Sequence, residues 1–318
     1  MVIWMHGIFN IYKPSGITSH DVVRKIRRMM PKKTKVGHGG TLDPAARGVL
    51  IVCVGKATKS IEFLMGYDKA YIGELVLGIT TDTQDAEGRI IKTVEDFVLS
   101  IADINEAFKR FKGEIWQVPP MYSALKRDGK KLYELARAGQ VVEREPRRIN
   151  VYDLTLLGVI KGSPEVLSKG DRVSFKAHVS TGTYIRALCY DIGESLTCGA
   201  HLDNLERTQC GPFTSLESCS LNEMEEAFES GNLKEFLMPI ERGLMHLPEV
   251  RVKDSSVRCV INGVSLYETG ITHYPDDLKD GDHVRLHSQR GELLGIGLVS
   301  SDEGAMVFRP IKLLTPIL

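Results

Sequence analysis

The hydrophobic pattern divides the chain into a long region of alternating strands and helices and a shorter region of strands alone. Residues 49–54 are apolar without interruption and follow a proline-containing bend, so residues 48–54 read as a strand buried on both faces. Residues 7–12 predict a shorter apolar strand. Thr18 or Ser19 then caps a helix in which Val22, Val23, Ile26 and Met29 recur at helical spacing. Residues 57–65 predict a helix carrying Lys59, and residues 68–78, with their β-branched and aromatic side chains, a strand with Tyr71 near its start. The segment T-T-D-T-Q-D-A-E-G at 80–88 is dense in turn formers and hydroxyls, and predicts a polar hairpin or loop.

An amphipathic helix is expected at 101–111. Pro119 and Pro120 block helix and aim a strand at Met121-Tyr122-Ser123, and from Gly129 a helix turns Leu132, Leu135 and Ala136 inward. Strands are expected at 147–159 and 172–179 with a loop at 158–170 between them. A helix starts from the glycine-containing turn within 180–193, another lies near 222–229, and 237–244 closes this region. From about residue 247 short strands alternate with turn residues at the spacing of a small barrel. The fold class expected is α+β, with domains at 1–245 and 246–318.

Composition changes little. With 318 residues, 42% apolar and 26% charged, and no apolar run of membrane-spanning length, the chain should be soluble and globular with more than one domain. Residues 1–10 lack an export signal, which makes the cytoplasm the expected location. The six cysteines form no C-x-x-C pair, so reduced and mostly buried thiols are expected. No phosphate-binding loop, dinucleotide fingerprint or H-E-x-x-H is present, and neither a cofactor nor a catalytic metal is expected. Net charge is zero, but its distribution is uneven. Arg24, Lys25, Arg27, Arg28, Lys32, Lys33 and Lys35 cluster on the first helix and beyond it; Lys126, Arg127, Lys130, Lys131, Arg144, Arg147 and Arg148 thicken a second region, and acid collects at Glu223, Glu225, Glu226 and Glu229. Such surfaces suit RNA or are merely solvated helix faces.

The candidate chemistry sits at Asp43. Gly37, Gly39 and Gly40 precede it, Pro44 follows, and the buried strand lies beyond, so the carboxylate is held at the mouth of a core element. Arg186 stands in the first turns of its helix, where the dipole disfavours a cation, and so calls for an anionic partner; Asp43 is the candidate.

Several stretches resemble one family. G-H-x-G-T-L-D-P-x-A-x-G-V-L around Asp43, K-P-x-G-x-T-S at 13–19, P-P-x-Y-S-A-x-K-x-x-G-x-x-L-Y-E-x-A-R-x-G from Pro119, S-x-G-T-Y-I-R at 180–186 and the Leu205 segment at 200–208 match, in order, the TruB family of pseudouridine synthases. The stretch from Pro119 resembles its bacterial branch. Residues after 247, with I-x-G-x-x-L, G-D-x-V and G-E-L-x-G-I-G, are similar to a PUA RNA-binding module. Two positions depart from the pattern: Arg47 replaces a small residue or threonine, and Glu206 stands where relatives often have a base.

The resemblance implies a mixed, largely antiparallel sheet with flanking helices plus a small β-barrel-like module, and isomerisation of uridine 55 in the T-arm of tRNA to pseudouridine. The C1′–N1 bond breaks, the uracil turns and C5 joins C1′, a rearrangement that adds nothing and needs no cofactor. Asp43 would attack base or ribose or assist elimination from C2′, as carboxylates do at anomeric carbons, with Arg186 keeping it ionised. The uridine must leave its stack. The resemblance then implies Tyr71 and Leu205 on its two faces, Tyr71 as base for the C5 proton and His38 in the vacated space. Gly39, Thr41 and Tyr184 are implied in RNA contact, and Lys13 and Lys59 in supporting loops or phosphates. The expected partner is tRNA, its acceptor end meeting the C-terminal module, with no membrane, no obligatory protein partner and a monomeric state. Rival readings are the catalytic subunit of a guide-RNA particle, an RNA-folding chaperone of the same fold and, more remotely, a metal hydrolase.

Overall fold

The structure is a computed structural model that describes residues 5–123, 125–127, 129–302 and 304–315, with the backbone alone at 126, 131 and 137. Residues 1–4 of the segment read for an export signal, and the side chains of Lys126 and Lys131, lie outside the described residues.

Strand β1 (Gly7–Lys13) leads into helix α1 (Ser19–Met29), β2 (Val36–His38), β3 (Arg47–Val54), α2 (Ile61–Met65) and β4 (Lys69–Leu77). The hairpin of β5 (Ile79–Thr81) and β6 (Ile90–Thr93), then α3 (Ile101–Arg110) and β7 (Gly113–Gln117), follow. After the short pair β8 (Lys126–Arg127) and β9 (Lys130–Lys131) come α4 (Leu132–Arg137), β10 (Arg147–Lys161) and β11 (Arg172–Val179). The region continues through α5 (Ile185–Ser195), β12 (Ala200–Cys210), β13 (Phe213–Thr214) and α6 (Leu221–Glu229).

A nine-stranded sheet runs β1-β3-β12-β4-β11-β10-β7, with β2 beside β3 and β13 beside β12. Every pairing is antiparallel except β12 with β3. The uninterrupted apolar run of β3 has its explanation here, because both faces are covered. Leu50, Val52 and Val54 join a core with residues of α1, α3, α5 and α6, while Val49, Ile51 and Cys53 pack on the other side with Ala57 and Leu64. Helix α1 begins as expected: the Thr18 hydroxyl accepts from Asp21 N at 3.0 Å, and the Asp21 carboxylate accepts from Thr18 N at 3.0 Å.

Three expectations need correction. Residues 57–65 are not one helix: a 3₁₀ segment, Gly55–Ser60, precedes α2, because the Thr58 and Ser60 hydroxyls donate back to the carbonyls of Gly55 and Ala57 and tighten the turns. Met121-Tyr122-Ser123 is a bend, not a strand. The sheet-edge strand β7 comes before the prolines, and the Tyr122 carbonyl serves Arg186 instead of a ladder. The helix expected from Gly129 starts only at Leu132, after the β8–β9 pair.

Beyond residue 245 the strands β14 (Glu249–Val252), β15 (Leu266–Tyr267), β16 (Ile271–His273), β17 (His283–Ser288), β18 (Leu293–Asp302) and β19 (Ala305–Leu313) form a second sheet. Helix α7 (Val257–Ile261) packs on it. The order is β15-β19-β18-β17-β14-β16, and the edge strands β15 and β16 are joined only by the three-residue turn Glu268–Gly270. A link that short brings the edges together and makes the sheet a nearly closed barrel. It has its own core around Val250, Leu286 and Phe308. A separate apolar seam of Leu244, Leu247, Ile296 and Leu314 with Phe63 and Ile240 joins it to the first sheet's helices.

Candidate active site

Asp43 is fixed because the segment before α1 clamps the loop that carries it. The Ser19 hydroxyl donates to Leu42 O at 2.9 Å and accepts from Leu42 N at 2.8 Å. Gly16 N donates to Pro44 O at 2.9 Å, and the Ser15 hydroxyl to Ala45 O at 2.8 Å. The K-P-S-G-I-T-S stretch thus serves the aspartate loop. Its lysine sits beneath, 0% exposed, with Nζ donating to the carbonyls of Pro14, Ile17 and Pro44.

Lys13 therefore supports the loop and does not face solvent. Burial lowers its ammonium to about 8, with Asp43 pulling the other way. An unfolded lysine holds its proton to about 10.4, so the cost of the buried charge is fully present below pH 8 and is relieved as pH rises between those values. The unfolding free energy of the unaltered protein, relative to Lys13→Met, is expected to climb between about pH 8 and 10, by at most about 1.4 kcal/mol per unit. Urea denaturation in a buffer series measures this, and a flat difference would contradict it.

Arg186, on the first turn of α5, meets Asp43 as expected: Nε lies 2.8 Å from Asp43 Oδ2. The guanidinium is 6% exposed and the Asp43 side chain 43%, so the cation is buried while the carboxylate still opens to solvent. Asp85, which the sequence did not single out, stands 3.5 Å from Arg186 Nη1. The carbonyls of Thr83 and Tyr122 accept at 3.0 and 2.9 Å. These partners offset the unfavourable helix end and fix the guanidinium in one pose. The polar hairpin expected at 80–88 is thus formed and lies beside the site, and its acid density was the one signal for Asp85.

Tyr71 on β4 is 7% exposed, and burial pushes its hydroxyl up while the nearby Arg207 acts in the opposite sense. Leu205 on β12 pairs in register with Gly73, and Arg207 with Tyr71, so all four share one face of the sheet. Gly48 is required here: its φ is +106°, and a Cβ would lie 2.2 Å from the Arg207 carbonyl where β3 and β12 run side by side. Arg207 is a second residue the sequence did not reveal. Its Nε donates to Val49 O at 2.7 Å, and its terminal nitrogens to the carbonyls of Thr41 and Gly40 at 3.2 and 3.3 Å.

His38 is half-buried, its Nδ1 finds no partner among the described residues, and burial lowers it with help from Arg207 and His20. The imidazole is therefore neutral at pH 7. Gly39 N donates to Ile51 O at 2.9 Å, and Thr41 is exposed. Tyr184 caps α5 with its backbone held by the Gln117 amide at 2.8 and 3.1 Å, and Arg147 lies 5.6 Å over its ring. Lys59 is not brought to this group; its Nζ donates to Leu313 O of β19 at 3.1 Å.

The two departures from the family pattern answer each other: Arg47 Nε is 3.1 Å from Glu206 Oε2, across the parallel β3–β12 register. The pair is partly exposed, and a double-mutant cycle of Arg47→Thr and Glu206→Gln is expected to give a coupling of about 0.5 kcal/mol. A coupling near zero would show that each charge acts alone.

Among the described residues no three His, Cys, Asp or Glu side chains gather as a metal site, and no helix is long and apolar enough to cross a membrane. Five of the six cysteines are buried and all are free.

Comparison with known proteins gives matches along most of the chain. Residues 27–185 match the model of the TruB family pseudouridylate synthase N-terminal domain, 186–245 the tRNA pseudouridylate synthase B C-terminal domain and 248–307 the PUA domain. The tRNA pseudouridine synthase B of Clostridium kluyveri is 43% identical over 95% of this chain and 99% of its own. That of Geobacillus thermodenitrificans is 46% identical over 82% and 86%. A solved Cbf5-Nop10-Gar1 complex contains a chain 30% identical, with a TM-score of 0.74 over 98% of this chain and 85% of that one.

Proposed function

Since this chain belongs to the TruB family of pseudouridylate synthases, we propose that it converts uridine 55 in the T-arm of tRNA to pseudouridine. In this reading Asp43 is the reacting carboxylate, Arg186 its counter-ion and Tyr71 the base for the C5 proton. The reaction type is isomerisation of uridine in tRNA. One observation carries the assignment of roles: Arg186 is buried and held by four oxygen partners, yet the carboxylate it pairs with remains open to solvent. A fixed, charged and reachable carboxylate is what attack at a sugar–base junction requires.

The other roles follow from position. An extruded uridine at Asp43 would have Tyr71 and Leu205 on its two sides, both from the face shared by β4 and β12. Neutral His38, with an unpaired nitrogen, would take the space the base leaves. Gly39, Thr41 and Tyr184 would line the RNA path. The C1′–N1 bond breaks, C5 bonds to C1′, the C5 proton passes to Tyr71, and N1 takes a proton from solvent.

We further assign residues 1–245 to catalysis and 246–318 to RNA binding at the acceptor end. The second region's own core and its match to the PUA domain support that division. The same reading has the protein acting alone, as a cytoplasmic monomer. The rival guide-RNA reading draws on neighbours at 27–30% identity, including the Cbf5 complexes. The bacterial tRNA enzymes, at 41–46%, outweigh it.

The test is carbodiimide labelling with primer extension on a tRNA transcript incubated with the pure protein. One stop in the T-loop is expected, and likewise on a bare T-arm hairpin. Product only after a guide RNA is added would favour the rival.

A further inference from the structure

Arg207 is the largest fully buried side chain among the described residues, 1% exposed. A guanidinium out of water normally needs a carboxylate, yet among the described residues none forms an ion pair with it; its nitrogens go to the carbonyls of Val49, Thr41 and Gly40. Backbone dipoles solvate the charge without cancelling it, so its field reaches the neighbours. Arg207 lowers the proton affinity of both His38 and Lys13.

Its remaining contact is Tyr71. The two residues are direct partners in the antiparallel β12–β4 ladder with their side chains on one face, and the guanidinium favours the ionised form of the phenol. The charges that act on that oxygen are Arg207 and Cys210 from β12 and Asp43 from the aspartate loop, while the register partner of Tyr71 on β11 is the apolar Ala177. Burial, Cys210 and Asp43 all oppose a negative charge on the oxygen, and Arg207 alone favours it.

We propose that Arg207 acts in the deprotonation step through Tyr71, supplying from the neighbouring strand the buried positive charge against which the Tyr71 oxygen works as an anion. The inference rests on Tyr71 being the base. In the step, the C5–H bond breaks, the proton goes to the phenolate oxygen, and the electron pair returns to the uracil ring. The phenol then releases its proton to solvent before the next turnover. A guanidinium cannot accept that proton, so Arg207 keeps its charge throughout.

The experiment places 3-fluorotyrosine at position 71 and follows its ionisation by fluorine NMR in the free protein. The unaltered chain is compared with Arg207→Lys and Arg207→Met. With Met the fluorophenol should ionise at least one pH unit higher, a tenfold smaller phenolate share at a given pH, and Lys should fall between. Single-turnover isomerisation on the T-arm hairpin should show its rise with pH displaced by the same amount. Unchanged ionisation in both variants would overturn the inference; if Met does not fold, an unchanged value in Lys alone overturns it. Full activity of Tyr71→Phe would refute Tyr71 as the base while leaving the titration result intact, so the two failures are distinguishable.

Discussion

Asp43→Asn is expected to reduce pseudouridine formation at least about 10,000-fold, the scale on which enzymes lose rate when the reacting side chain is removed. The amide matches the carboxylate in shape, and Pro44, Ser19 and Lys13 still hold the loop, so the site should keep its form. What disappears is the negative charge that bonds to or stabilises the sugar–base junction. Affinity for the tRNA should change by no more than about threefold, because phosphate contacts supply most of it. Primer-extension stops measure the first quantity and filter binding the second. Product from Asp43→Asn at more than about one hundredth of the normal rate would remove Asp43 from the reaction.

The second large effect is expected at Arg186. Arg186→Met takes away the cation 2.8 Å from Asp43 and leaves Asp85 with no guanidinium on the inner side of the cleft. We expect kcat/KM to fall about 1,000-fold, or about 4 kcal/mol of transition-state stabilisation. Unfolding free energy should fall by about 2–3 kcal/mol, from a carboxylate left largely buried without its partner. Arg186→Lys keeps the charge but not the fork that reaches Asp43, Asp85 and two carbonyls at once, and should recover only part of the rate. Asp85→Asn gives the complementary result: Arg186 keeps Asp43 but loses an anchor, and kcat should drop more than RNA affinity. Equal loss of binding and rate in all three would mean that the group acts on RNA docking instead of chemistry.

Much of the architecture was legible because it depends on local order. The strand at β3 announced itself through six consecutive apolar residues, and the cap of α1, expected at Thr18 or Ser19 and found at Thr18, through a contact between neighbours in sequence. Asp43 and Arg186 were recognised as partners because each had an ill-fitting local environment, an acid at the mouth of a core strand and a cation at a helix start. The misreadings came where local signals competed. Around Pro119 the proline pair predicts a strand beyond it, but the sheet's edge is taken by β7, which precedes the prolines. In 55–65 the hydroxyls of Thr58 and Ser60 tightened a segment whose spacing looked helical.

Sequence by itself settled most of the elements, pointed to Asp43 as the carboxylate to examine, and marked a barrel-like region after it, since propensity, periodicity and turn chemistry all act over a few residues. Only the tertiary structure decided that Lys13 faces inward, that Asp85 completes the cradle of Arg186, that Arg47 and Glu206 answer one another, and that Arg207 lies uncompensated behind Tyr71. Those facts turn on which strands become neighbours and in what register. The β3–β12–β4 alignment joins residues separated by more than a hundred positions, and no pattern within a single segment carries that information.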